Sequence, residues 1–257
     1  MIDGRDRWKE RHLNHPSRSK QIPWYHRDFE HKLQPSFRTL LQEWSGIAPE
    51  DREEAWQVFP WPCIGMFWFV EQGLLRHPGY PQILQRIIST SPTTKFLDLG
   101  TCLGQDIRTL LHGGAPAACL YGADVFPRFR DTGYTLFKDS NRLSPSHFIV
   151  GDIFSDVDDL AKSRGTWDIV HIAMFLQIFS LSGQEAASRN ILKLLKPGSN
   201  STIIDFQLQP PFCDPEEERI IYRYSKETIK TLKTPGIAGN TRKRGVAIAS
   251  CRQVWFE

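Results

Sequence analysis

At 257 residues, with 40% hydrophobic and 24% charged side chains, the chain is long enough for one large α/β domain plus an N-terminal extension. A net charge of +3 is too mild and scattered for nucleic acid, and five cysteines, odd in number and never in a Cys-x-x-Cys pair, fit a reducing cytoplasmic setting better than a disulfide framework. The longest apolar run, Cys63 to Val70, is far shorter than the ~20 residues of a membrane helix, and the charged first residues carry no signal segment.

Residues 1–35 lack periodicity and hold Pro16, Pro23 and Pro35, which predicts a mobile or irregular lead segment; its basic run also contains acids and reads as a solvated tail. From Ser36 to Trp44 the apolar positions Phe37, Leu40, Leu41 and Trp44 recur at helical spacing, and Gly46 follows as a stop. A second helix is expected from Pro49, with Glu50, Asp51, Glu53 and Glu54 favouring its N-terminal dipole. The aromatics Trp56, Phe59, Trp61, Phe67, Trp68 and Phe69 form either a lid over an apolar pocket or plain core packing. Residues 80–90 carry Ile83, Leu84, Ile87 and Ile88 on one helical face, with Pro81 in the first turn. Residues 36–93 therefore read as a helical cap.

Beyond Thr94, short apolar strands alternate with helical patterns, which predicts βαβ units and a doubly wound, mostly parallel sheet. The expected strands are 95–99, 119–124, 147–150, 167–173 and 201–206, and the expected helices lie near 104–112, 127–138, 155–162 and 183–195.

Ligands of such a sheet bind at the carboxyl ends of the strands, where the strand order reverses. Gly100 and Gly104 close the first strand, and their small size lets the backbone approach a ligand. Asp124 closes the second, placed to accept from ribose hydroxyls, and Gly151 and Asp152 close the third, within reach of an adenine edge. Taken singly, each residue is equally at home as a turn glycine or a helix cap; the joint pattern at three strand ends points to a nucleotide site. Cys102 sits where a dinucleotide loop prefers glycine, and Asp98 stands two residues before Gly100. A carboxylate there repels pyrophosphate and suits a ligand with a cationic amino acid end, S-adenosylmethionine.

The runs FLDLGTCLGQDIRTLL, GADVFPRF, GDIF, WDIVHIAMFLQIF and LLKPGS, with REEAWQVFPWPCIGMFWF upstream, resemble the small class I methyltransferases of fungal meroterpenoid pathways. The resemblance covers residues 36–232, and its most specific elements are GQDIR after the glycine loop and PCIG in the cap. It implies a Rossmann-like fold of the class I methyltransferase type, with residues 94–232 as the cofactor-binding core. It also implies O-methylation, notably of a carboxyl group, on a polyketide-terpenoid acid. By motif match, Asp98, Gly100, Gly104, Gln105 and Asp106 would line the methionine end, Asp124 and Val125 the ribose, and Asp152 and Ile153 the adenine. Trp61, Phe67, His171 and Phe175 are expected at the substrate pocket.

Two departures stand out. Gln177 occupies a position where the family tends to carry His, and residues 233–257 resemble no tail of the family, offering one strand where an antiparallel pair is expected. An atypical, incomplete C-terminal edge would leave a strand exposed.

Methyl transfer needs no metal, and none of the spacings of a zinc site, Walker loop or Ser-His-Asp triad is present. A carboxylate acceptor is already ionised, whereas a phenol benefits from a base; His171, at the end of the fourth strand, is the candidate, against the alternative of a packed histidine bonded within the sheet. The expected partner is a small hydrophobic molecule, with no nucleic acid or membrane and with a homodimer left open. The rival readings are a methyltransferase fold without methyl transfer, lyase- or isomerase-like, and a binding protein acting through its sheet edge.

Overall fold

The structure, a computed structural model, describes residues 33–46, 68–179, 181–197, 201–209 and 247–254. The helix expected from Pro49, the aromatics Trp56, Phe59, Trp61 and Phe67, the lead segment to residue 32 and residues 210–246 of the tail lie outside the described residues.

In chain order, α1 (Pro35–Thr39) continues directly into a π-turn (Leu40–Trp44), closed where the Ser45 N–H donates to the Leu40 carbonyl five residues back. Next come α2 (Gly73–Arg76) and α3 (Tyr80–Ser89), the latter with Pro81 in its first turn. The alternating part then follows as β1 (Phe96–Leu99), α4 (Gln105–His112), β2 (Leu120–Asp124), α5 (Pro127–Phe137), β3 (Phe148–Val150), α6 (Asp159–Lys162), β4 (Ile169–Ala173), α7 (Leu181–Leu194), β5 (Thr202–Gln209) and β6 (Ala247–Val254).

The six strands form one sheet in the order β3-β2-β1-β4-β5-β6, and every neighbouring pair is parallel. Strand order reverses between β1 and β4, so the crevice lies at their carboxyl ends. Residues alternate between the two faces. Phe96, Leu120 and Ile169 pack with Ile83, Ile87, Ile107 and Leu110 of α3 and α4, while Leu97, Val170, Ile172 and Ile203 pack with Ala187, Ile191 and Leu194 of α7. Each such fully buried Leu, Ile or Phe contributes about 1.5–3 kcal/mol. A third cluster joins Phe37, Leu40 and Leu41 to Leu103 of the glycine loop and to Leu136 and Phe137 of α5.

At the C-terminal edge, β6 lies parallel to β5 through eight aligned pairs, from Thr202↔Ala247 to Gln209↔Val254. The single expected strand is therefore present, and no antiparallel pair occurs among the described residues. The helix expected over 155–162 is only its last turn, α6. Ser155 Oγ accepts from the N–H groups of Val157 and Asp158, and this local turn competes with helix until Asp158 caps the Ala161 N–H. Among the described residues no helix is long and apolar enough to cross a membrane.

Candidate cofactor and substrate site

The loop between β1 and α4 is fixed before any ligand is considered. Gly100 and Thr101 donate their N–H groups to the Ala123 carbonyl at 2.8 and 3.1 Å, which ties the loop to the end of β2. Gly100 has φ +76, and a Cβ there would lie 2.6 Å from Phe175 Cδ2, so the chain needs glycine on both counts. Arg108, fully buried, holds the rest of the loop by donating Nη1 to the Leu103 and Gly104 carbonyls. Its Nε and Nη2 clamp Asp139 at 2.8 Å each, and the Trp44 indole N–H donates to the same carboxylate at 2.9 Å. A buried ion pair is tolerable here because both its charges are bonded on several sides.

A cavity opens at the carboxyl ends of β1 to β4. Asp98, Gly100, Cys102, Gln105 and Asp106 line it from the first strand and its loop, Asp124, Val125 and Phe126 from the second, and Gly151, Asp152 and Ile153 from the third. Met174, Phe175, Gln177, Ile178 and Phe179 close it after the fourth, with Trp68 and Phe69 of the cap and Phe129 of α5.

Of the residues singled out from sequence, Asp98, Gly100, Gln105, Asp106, Asp124, Val125, Asp152, Ile153 and Phe175 thus share one cavity. Gly104 and His171 do not line it. The place of a Gly104 Cβ is taken by Arg108 Nη1 and the Phe148 ring, so this glycine, with φ +73, serves as the turn into α4. His171 is wholly buried, one layer below the floor. Trp61 and Phe67 lie outside the described residues. Cys102, Phe126, Phe129, Met174, Ile178 and Phe179 were not anticipated, and the rule that strand-end loops face the crevice, applied to the MFLQIF run after β4, would have found three of them.

The polar groups are mutually braced. Asp124 accepts the Cys102 N–H at 3.1 Å and the Phe126 N–H at 3.1 Å, yet burial pushes its pKa up to about 7. Asp152 accepts the Phe154 N–H at 3.0 Å and donates its own N–H to Asp158 at 2.8 Å. On the floor, Asp98 accepts the Thr101 hydroxyl at 2.7 Å and the His171 Nδ1–H at 2.9 Å. The carboxylate accepts only, so Nδ1 carries the proton. Burial opposes the charge on His171, but the bond to Asp98 and the charges of Asp98, Asp106 and Asp205 outweigh it and hold its pKa above the ordinary histidine value. Burial raises Asp106 to about 6, in spite of the Leu74 N–H that it accepts. Atoms of Asp98, Asp106 and His171 all lie within 4.8 Å of one another.

A family model described as the meroterpenoid methyltransferase N-terminal domain matches residues 24–70. The O-methyltransferase phiE of a fungal species is 34% identical over 197 residues, covering 73% of this chain and 65% of its own. The O-methyltransferase atr3 of Stereocaulon alpinum is 35% identical over 199 residues, covering 74% of this chain and 56% of its own. Methyltransferase ausD of Penicillium brasilianum is 38% identical over 156 residues, covering 60% of this chain and 55% of its own. The chain thus spans between about half and two thirds of the length of these relatives. Among solved structures, the [4+2]-cyclase SpnF matches over 59% of this chain and 54% of its own, with 16% identity and a TM-score of 0.41.

Proposed function

We propose that this chain, a relative in sequence of the fungal meroterpenoid-pathway methyltransferases, binds S-adenosylmethionine at its strand ends and methylates an oxygen of a small hydrophobic acid or hydroxyl compound. The observation that carries this reading is the charge of the cavity: Asp98, Asp106, Asp124 and Asp152 line it together, facing the rings of Phe129, Phe175 and Phe179. Carboxylates so grouped repel a pyrophosphate and attract a ligand with a cationic end.

The residues fit that cofactor. Gln105 Oε1 is buried without a partner beside Asp98 and Asp106, and these three acceptors answer the three N–H donors of an ammonium. Asp124 would take the ribose hydroxyls, and Asp152 and Ile153 would flank the adenine. Bound there, S-adenosylmethionine supplies an electrophilic methyl group on a positively charged sulfur.

The chain's own contribution is to align the acceptor and keep water out, and such alignment is worth ~7–11 kcal/mol in favourable cases. Phe175, seated on Gly100, and the neighbouring Ile178 and Phe179 form the apolar wall that an acceptor would face. A carboxylate acceptor needs no base, and His171, buried beneath the floor, is not positioned to serve as one. We assign residues 94–232 to the cofactor-binding core and 36–93 to a cap on the substrate side, since Trp68 and Phe69 reach the cavity. Cys102 and Cys119, buried as thiols and outside any disulfide, support a reducing cytoplasmic setting.

Incubation with S-adenosylmethionine and a panel of farnesylated dimethylorsellinate-type acids, followed by chromatography, tests the reading. S-adenosylhomocysteine and a methyl ester should form only when both reactants are present. Cofactor that binds but is never consumed across the panel would support a methyltransferase fold without methyl transfer.

A further inference from the structure

His171 does not line the cavity, yet three buried carboxylates act on it. It stands on β4 in register with Asp98 of β1, and the carboxylates that face it come from three elements: Asp98 from β1, Asp106 from α4 and Asp205 from β5. All three are buried. The charge of Asp98 also bears on Asp124 of β2. Nδ1 is engaged by Asp98, while Nε2 is buried without a hydrogen-bond partner. In its protonated form this buried ring has one idle N–H and is poorly satisfied, and the surrounding carboxylates are what favour that form. Those carboxylates, Asp98 and Asp106, are also the ones exposed to the cavity above.

We propose that His171 is a positioning residue for the amino end of the cofactor: as an imidazolium it balances Asp98 until the ammonium arrives, and it then gives up its Nε2 proton while its Nδ1–H goes on orienting the carboxylate. This rests on the reading of the cavity as a site for S-adenosylmethionine. The physical reason is repulsion between like charges. The ligating atoms of Asp98, Asp106 and His171 lie within 4.8 Å of one another, so an ammonium held by the two carboxylates would be close to the ring, and at a separation of about 5 Å a second cation lowers the proton affinity of the imidazole on the order of a hundredfold at an effective dielectric of about 20. The proton leaves to the buffer, Nδ1–H stays bonded to Asp98, and the net charge of the floor is unchanged by the exchange of one cation for another. Binding and deprotonation are thereby linked, so cofactor affinity rises with pH over the range in which the free protein holds that proton.

Calorimetry on the full chain at pH 7.5, in phosphate and in Tris, reads the protons released on binding. S-adenosylhomocysteine carries the ammonium and should release a proton from His171; 5′-methylthioadenosine lacks the amino acid end and should bind without that release. His171→Asn keeps an N–H for Asp98 but cannot titrate. It should bind S-adenosylhomocysteine with release lower than wild type by up to one proton, whatever Asp106 and Asp124 contribute to both. Equal release in wild type and variant, or equal release for the two compounds, would overturn the inference alone. Failure of both compounds to bind would overturn the cofactor reading and this inference with it. Should the variant not fold, long-range proton–nitrogen spectra of the wild type decide. One of the eight histidines should pass from imidazolium to neutral on adding S-adenosylhomocysteine, and none doing so counts against the proposal.

Discussion

Asp106 accepts the Leu74 N–H at 3.3 Å and lies buried next to a second carboxylate, Asp98, and burial is the main reason its pKa stands near 6. A carboxyl raised from 3.8 in this way binds more protons folded than unfolded across the interval, so stability is fully present below about pH 4 and is lost as pH rises through about 6. Asp106→Asn removes that loss, because the amide is neutral at every pH and keeps an oxygen for Leu74; its N–H replaces the oxygen that accepts the Gln105 Nε2–H at 3.4 Å, so Gln105 turns its amide over to present the partnerless Oε1. The variant should therefore unfold at a higher temperature than wild type at pH 8, by at most ~3 kcal/mol, with the difference closing toward pH 4. It should also bind S-adenosylmethionine more weakly. Melting curves at the two pH values check the first statement; a variant less stable at pH 8 than at pH 4, relative to wild type, contradicts it. Stability here is sacrificed for a charge that the ligand needs.

Between elements, α5 approaches the glycine loop closely at Gly133. A Cβ on Gly133 would strike the Leu103 carbonyl oxygen, a backbone atom that cannot rotate aside. Helix propensity alone says that Gly133→Ala stabilises α5 by about 1 kcal/mol. Packing says the reverse, and overpacking against backbone should win, lowering stability by about 1–3 kcal/mol. The sign of the shift in the urea midpoint separates the two. This contact also shows where sequence reading stops. The strands, α3, α4, α5 and α7 were legible because their apolar periods are local, and Asp98, Asp124 and Asp152 because strand ends are fixed points of the fold. The short α6 was overextended because Ser155 and Asp158 spend their side chains on a turn instead. The ion pair of Arg108 with Asp139 and the place of His171 beneath the floor arise from partners 31 and 73 residues distant, which no local pattern encodes.

Over the whole molecule, the cavity gathers the ends of four strands whose loops rest on three separate apolar clusters, and a ligand that spans it adds a further link to the hydrogen bonds that already join neighbouring strand ends. Binding to the folded state alone stabilises it by RT ln(1 + [L]/Kd), about 2.7 kcal/mol at a hundredfold excess over Kd. For a chain of this size each kcal/mol raises the melting temperature by about 2–4 °C, so saturating S-adenosylmethionine should raise it by roughly 5–10 °C. NAD offers the same adenosine to Asp124 and Asp152 but brings a pyrophosphate toward Asp98 and Asp106, where like charge opposes it. Its shift at equal concentration should be near zero. Lowering the pH from 8 to 6 protonates Asp124, whose pKa lies near 7, and weakens its acceptance from the ribose; the shift given by S-adenosylmethionine should shrink accordingly. Equal shifts from the two nucleotides would mean that the carboxylates of the floor do not choose the ligand, and the charge-based reading of the site would fall with them.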